Sequence, residues 1–137
     1  MTITKHFTAA DFTAALGAGD AAVVKQLPGG VSIRITLERD HGGDMPDPEV
    51  YSEADIAAWE AGEWTFWGAV LSVWIGRHQI DANAGGLWGI DCVDADYIDA
   101  DHLASVANEI AATANVPEIV RTFAREMMEA ANQFDAA

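Results

Sequence analysis

Trp64-Thr65-Phe66-Trp67-Gly68-Ala69-Val70-Leu71-Ser72-Val73-Trp74-Ile75 is the longest apolar run in the chain, and its reading decides the fold. As a strand it places Trp64, Phe66, Val70 and Trp74 on one face and Trp67, Ala69, Leu71, Val73 and Ile75 on the other. Both faces are then apolar. A helix of this length should carry a polar stripe and fewer aromatic and β-branched residues, so the run reads as a central strand covered on both sides.

The neighbouring residues supply its partner. Gly76-Arg77 can reverse the chain, and Gly85-Gly86-Leu87-Trp88-Gly89-Ile90-Asp91 can return as the paired strand, its glycines marking a bulge or a close backbone approach. A turn at Asn83 to Gly86 is the alternative, which leaves the register open. All five tryptophans fall between Trp59 and Trp88.

Upstream, Val31-Ser32-Ile33-Arg34-Ile35-Thr36-Leu37-Glu38 alternates apolar and polar, as an edge or near-edge strand of the same sheet does. Before it, Thr8 can cap a helix with Asp11 completing a capping box, Phe7 can pack on Phe12, and Gly17 should stop the helix. Asp20 is expected to cap a second short helix over Ala21 to Leu27, ended by Pro28-Gly29-Gly30. Arg39 to Tyr51 reads as a long loop, and Ser52-Glu53-Ala54-Asp55 opens a short helix that runs through Trp59 to a stop at Gly62.

Downstream, Asp99 or Asp101 should cap a helix reaching Ala114 with Leu103, Val106, Ala107 and Ile110 on its apolar face. A last helix starts near Pro117, and its stripe of Val120, Phe123, Ala124, Met127, Ala131 and Phe134 is expected to lie in the core. The order predicts a single α+β domain over residues 1–137: a small antiparallel sheet of about three strands covered by the N- and C-terminal helices. If helices cover only one face of the sheet, the other exposes tryptophans and predicts a homodimer or a partner surface.

Composition narrows the function. The chain has 22 Asp and Glu against 7 Lys and Arg, a formal net charge of −15. Such a surface repels nucleic-acid phosphates and anionic membranes and attracts basic proteins, so direct nucleic-acid binding is not expected. Cys92 is the single cysteine, which excludes an intramolecular disulfide and a cysteine-based zinc site and fits a small buried hydrophobe in a reducing compartment. The N-terminus has no signal-peptide pattern, and the apolar run is too short to span a bilayer; a soluble cytoplasmic protein is expected.

No motif states a chemistry. Dinucleotide, phosphate-loop and nucleophile-elbow patterns are absent, and paired carboxylates in so acidic a chain have no specificity. Neither an enzyme activity nor a cofactor is expected. His41, Asp44 and Asp47 in the long loop are the weak candidate for a divalent ion, and through it a metal-dependent enzyme is the least favoured alternative, since no second histidine stands at ligand spacing. The run Asp91, Asp94, Asp96, Asp99 and Asp101 lacks the glycine and closing glutamate of a calcium loop.

Mimicry of a nucleic acid remains. Duplex DNA presents a phosphate about every 3.4 Å per strand, and acidic side chains two apart on an extended segment lie roughly 6 to 7 Å from one another. Asp91, Asp94, Asp96, Asp99 and Asp101 can present such a ribbon, with Glu49, Glu53 and Asp55 as a second acidic contact region. In the last helix, Glu118, Arg121, Arg125 and Glu129 form a self-neutralising face, which places any mimic surface elsewhere.

The segments Trp59-Glu60-Ala61-Gly62-Glu63-Trp64-Thr65-Phe66-Trp67-Gly68-Ala69-Val70, Leu87-Trp88-Gly89-Ile90-Asp91, Tyr97-Ile98 and Val106-Ala107-Asn108-Glu109-Ile110 carry a resemblance. In them the chain is similar to a group of small acidic proteins encoded by bacteriophages and plasmids. The resemblance covers the middle and later part of the chain, leaves the first forty residues outside, and brings no catalytic motif. It implies a bacterial host and, by analogy, an inhibitor of a restriction or CRISPR system acting on a basic nucleic-acid-binding protein or nuclease. The competing expectation is a homo-oligomeric accessory protein with a Trp-rich interface.

Overall fold

The computed structural model describes residues 6–40, 45–91 and 98–136. Four antiparallel strands, β1 (Ala22–Gln26), β2 (Val31–Arg39), β3 (Trp67–Ile75) and β4 (His78–Ile90), form one sheet in the order β1-β2-β3-β4. Four helices accompany it: α1 (Ala9–Gly17), α2 (Glu53–Glu60), α3 (Ala100–Ala114) and α4 (Val116–Ala136). The architecture is α+β, with four strands where about three were expected.

The additional strand is β1, on residues expected to form a helix. Val23 and Val24 are adjacent and β-branched, and they suit a pleat better than a helical turn. Val23 is buried and Val24 is exposed. The chain reverses through a 3-10 turn at Pro28–Gly30, where Gly29 and Gly30 both take positive φ, and Val23 then pairs with Ile35. Asp20 therefore caps no helix.

β3 begins at Trp67 rather than Trp64, and the turn at Gly76 and Arg77 feeds β4 directly, with Ile75 opposite His78. Asn83 to Gly86 lies inside β4, where register shifts mark irregular pairing. Glycine is required at Gly86, where an added Cβ would meet the Ala69 carbonyl at 2.9 Å, while at Gly85 a Cβ would make a tight 3.3 Å contact with the Ile110 side chain of α3.

One face of the sheet carries the core. Val31, Ile33, Ile35 and Leu37 of β2 and Ala69, Leu71 and Val73 of β3 are buried against Phe12 of α1 and Leu103, Val106, Ala107 and Ile110 of α3. Thr8 caps α1 with the expected box: its hydroxyl accepts from Asp11 N at 3.3 Å and its own N–H donates to Asp11 at 2.8 Å. Phe7 packs on Phe12, ring centres 6.2 Å apart. Asn108 of α3 is buried, and its side chain accepts from Phe7 N at 2.9 Å and donates to Phe7 O at 3.0 Å. That pair of bonds satisfies an extended segment which belongs to no sheet. Lys25 of β1 reaches Asp11 of α1 at 2.8 Å. Burial pushes the Asp11 carboxyl up, but the Lys25 hydrogen bond, the Thr8 donors and the Lys25 charge together hold it below its ordinary value of 3.8.

The second face is closed by its own side chains. Trp74 donates from its indole to Ser72 Oγ at 2.9 Å, and the Arg34 guanidinium lies 4.4 Å above its ring. Trp88 lies over Gly68 so closely that a Cβ there would enter the indole. Of the five tryptophans only Trp88 is exposed, while Trp59, Trp64, Trp67 and Trp74 are half-buried. A face exposing several tryptophans was the expectation for one-sided helix cover; stacking and self-packing leave Trp88 as the one exposed tryptophan, with Val24 exposed separately on β1 at the opposite edge of the sheet.

The second departure is α4. Its stripe was expected in the core, yet only Val116 is buried, Ile119, Val120 and Phe123 are half-buried, and Ala124, Met127, Ala131 and Phe134 are exposed. Asn115, in the left-handed conformation with φ 53°, separates α3 from α4 and sends α4 away from the core. No helix among the described residues is long and apolar enough to cross a membrane.

Candidate partner-binding surface

The two acidic regions meet through one tyrosine. Asp47 builds the turn before α2: its carboxylate accepts from Glu49 N at 2.9 Å and its carbonyl accepts from Val50 N and Tyr51 N, each at 2.9 Å. Ser52 caps α2 by accepting from Asp55 N at 3.1 Å. Between turn and cap, Tyr51 projects to the end of β4, where its hydroxyl donates to the Asp91 carboxylate.

An aromatic cluster holds this tyrosine in place. Its ring centre is 5.5 Å from that of Trp64 and 6.0 Å from that of Phe66, and the Trp64 and Phe66 rings meet edge-on at 5.2 Å. Trp64 also donates from its indole to the Asp55 carbonyl at 2.8 Å, tying β3's approach segment to α2. Burial, the hydrogen bond to Asp91 and the charges of Asp91 and Asp55 push the Tyr51 hydroxyl up to about 12. It stays a protonated donor at every physiological pH, so its bond to the Asp91 carboxylate is kept.

Glu49, Glu53, Asp55 and Asp91 are all exposed. Among the described residues no cation pairs with them. Lys25 is held by Asp11, Arg34 and Arg39 lie over Trp74 and Trp67, and Arg121 and Arg125 both bind Glu118. Among the described residues, therefore, no side-chain cation neutralises the charge of this surface.

The remaining candidates are placed differently. Asp99 is half-buried and its carboxylate accepts from His102 N at 3.0 Å, the N-cap of α3, so part of its charge serves the fold. Asp101, exposed in the first turn of α3, lines a shallow groove with Phe7, Thr8, Ser105 and Glu109. No hydrogen bond described here joins either to the Tyr51 and Asp91 pair. Asp94 and Asp96 lie outside the described residues, as do Cys92, His41 and Asp44. The Asp47 carboxylate, the described member of the candidate divalent-ion trio, is engaged in its turn. Among the described residues no group of three or more His, Cys, Asp or Glu could hold a metal ion.

Sequence reasoning missed Tyr51 itself. The available signal was its position immediately before the Ser52 cap, where an aromatic side chain often packs on the helix it precedes; nothing local pointed to its partner on β4. No protein-family model matches the chain, and no curated protein or solved structure matches it.

Proposed function

We propose that the protein is a non-enzymatic inhibitor, of the anti-CRISPR or anti-restriction kind, that binds a basic nucleic-acid-handling protein inside a bacterial cell. The observation that carries this reading is the Tyr51 to Asp91 hydrogen bond, which joins Glu49, Glu53 and Asp55 to the Asp91 end of the aspartate run on one exposed acidic surface. Exposed carboxylates carried on neighbouring elements speed encounter with a basic groove. The phage or plasmid setting rests on the resemblance of the Trp59 to Val70 and Leu87 to Asp91 segments.

Two sets of substitutions test it. Glu49→Gln, Glu53→Gln, Asp55→Asn and Asp91→Asn together neutralise the surface built on Tyr51, while Asp94→Asn, Asp96→Asn and Asp99→Asn neutralise the remainder of the aspartate run. Asn at positions 91 and 99 can still accept the Tyr51 and His102 hydrogen bonds, so the fold should persist. Loss of partner binding in the first set, at unchanged circular dichroism, supports the proposed surface. Normal binding by both sets refutes it.

A further inference from the structure

The apolar face of α4 runs on past the body that anchors it. Val116 is buried and Ile119 and Val120 pack against the core, but every residue from Ala124 to the end of the helix is exposed. Apolar side chains continue there regardless: Met127 is 49 %, Met128 64 % and Phe134 82 % exposed. Val116, Val120, Phe123, Met127, Ala130 and Phe134 follow spacings that alternate four and three, as the seam of a coiled coil does, with Ile119, Ala124 and Ala131 widening the apolar stripe at its flanks. The charged groups keep off this seam. Glu118 pairs with Arg121 and with Arg125, each at 3.3 Å, at positions that the same heptad places on the outer side.

We infer that α4 pairs with a second copy of itself, antiparallel, through Phe123, Met127, Ala130 and Phe134. With the twofold axis between Met128 and Glu129, Phe123 meets the partner's Phe134 and Met127 meets the partner's Ala130, so large and small side chains interdigitate. Ala124 then faces the partner's Ala131, which lets the backbones approach, and Glu126 faces the partner's Gln133, so no like charges meet across the seam.

Charge sets the orientation, and the seam itself carries too little of it to repel a second copy. α4 carries four carboxylates against two arginines, a formal −2 of the total of −15, so the remaining charge lies on the body and the segments around it. Antiparallel pairing sets two strongly acidic bodies at opposite ends, whereas parallel pairing would set them side by side. A basic partner helix has little to read along this seam, because its flanking positions Ala124, Glu126, Ala131 and Gln133 hold one charge among four. The docked first turns of α4 have already met the cost of nucleating the helix, so a seam of this short length can associate.

Sedimentation velocity of the full chain over a wide range of concentration tests the inference. The unmodified protein is expected to reach twice its monomer mass, and the Met127→Glu, Phe134→Glu double variant to remain monomeric, with the unfolding midpoint that the unmodified protein shows at a dilution where it too is monomeric, since both side chains are exposed within one copy. A monomer at every concentration, or a dimer that survives the double substitution, overturns the inference. Orientation is read from nitroxides at position 135 in an Asp135→Cys, Cys92→Ser chain. Antiparallel pairing separates them along the axis by about 20 Å; a separation near the interhelical distance of about 10 Å contradicts it.

Discussion

The Tyr51 hydroxyl donates to the Asp91 carboxylate across 40 positions of sequence, and this one bond fixes how the acidic loop before α2 meets the end of β4. It also removes a donor from solvent competition and gives one of many crowded carboxylates a defined partner. Replacing Tyr51 by Phe should leave the aromatic cluster packed and cost about 1 kcal/mol, the net worth of a hydrogen bond at a partly exposed site. Urea denaturation of the two proteins measures it; an unchanged midpoint would mean that the bond contributes nothing.

The same residue predicts an alkaline limb. The Tyr51 hydroxyl titrates near 10 in the unfolded chain and at about 12 in the fold, so its folded value is raised. Its contribution is complete below pH 10 and is lost as pH rises through about 12, because the unfolded chain ionises first. Stability of the unmodified protein should fall more steeply than that of Tyr51→Phe between these values. Parallel curves in that window would contradict the assignment.

Gly68 should tolerate no side chain while Trp88 lies over it. Gly68→Ala must drive the indole off the sheet, at a cost of about 1 to 3 kcal/mol and with a change in tryptophan emission. In a Trp88→Ala background the same substitution should be nearly free, and the double-mutant cycle measures that coupling. Additive effects would show that the two residues do not meet.

Asn108 satisfies both backbone groups of Phe7 from inside the core. Asn108→Leu strands a buried N–H and a buried carbonyl, and should destabilise the fold by about 2 to 4 kcal/mol. Asn108→Asp keeps the acceptor for Phe7 N, and when its carboxyl is neutral its O–H can also donate to Phe7 O; when ionised it has no donor and sets a buried charge against that carbonyl. Its midpoint in urea should therefore approach that of the unmodified protein at low pH and fall as the carboxyl ionises.

What could be read from residues was governed by local signals. Thr8 with Asp11 and Ser52 with Asp55 are short-range caps, legible because the chemistry spans three residues; for α3 the same signal left Asp99 and Asp101 as alternatives, of which Asp99 is the cap. The alternation of Val31 to Glu38 and the doubly apolar Trp64 to Ile75 run likewise announced strands, the second beginning three residues later, at Trp67. Ala21 to Leu27 was misread because an aspartate before a short apolar stretch suits a helix and a strand alike, and only pairing with β2 decides between them. The α4 stripe was expected in the core because periodicity reports an apolar face and says nothing of what covers it. The candidate surface was half legible: its carboxylates stood out by density, whereas Tyr51, which gathers them, acts through a contact between distant elements.

The central claim is that the acidic surface binds a basic nucleic-acid-handling protein. Its most direct test is capture from a bacterial lysate at low salt, with the full chain and the Glu49→Gln, Glu53→Gln, Asp55→Asn, Asp91→Asn variant immobilised in parallel and eluted by a salt gradient. A nuclease or nucleic-acid-binding complex that is retained by the unmodified protein, released at moderate salt and missed by the variant is the predicted result. Equal retention of that complex by both proteins, or recovery of nothing but further copies of the chain, would contradict it.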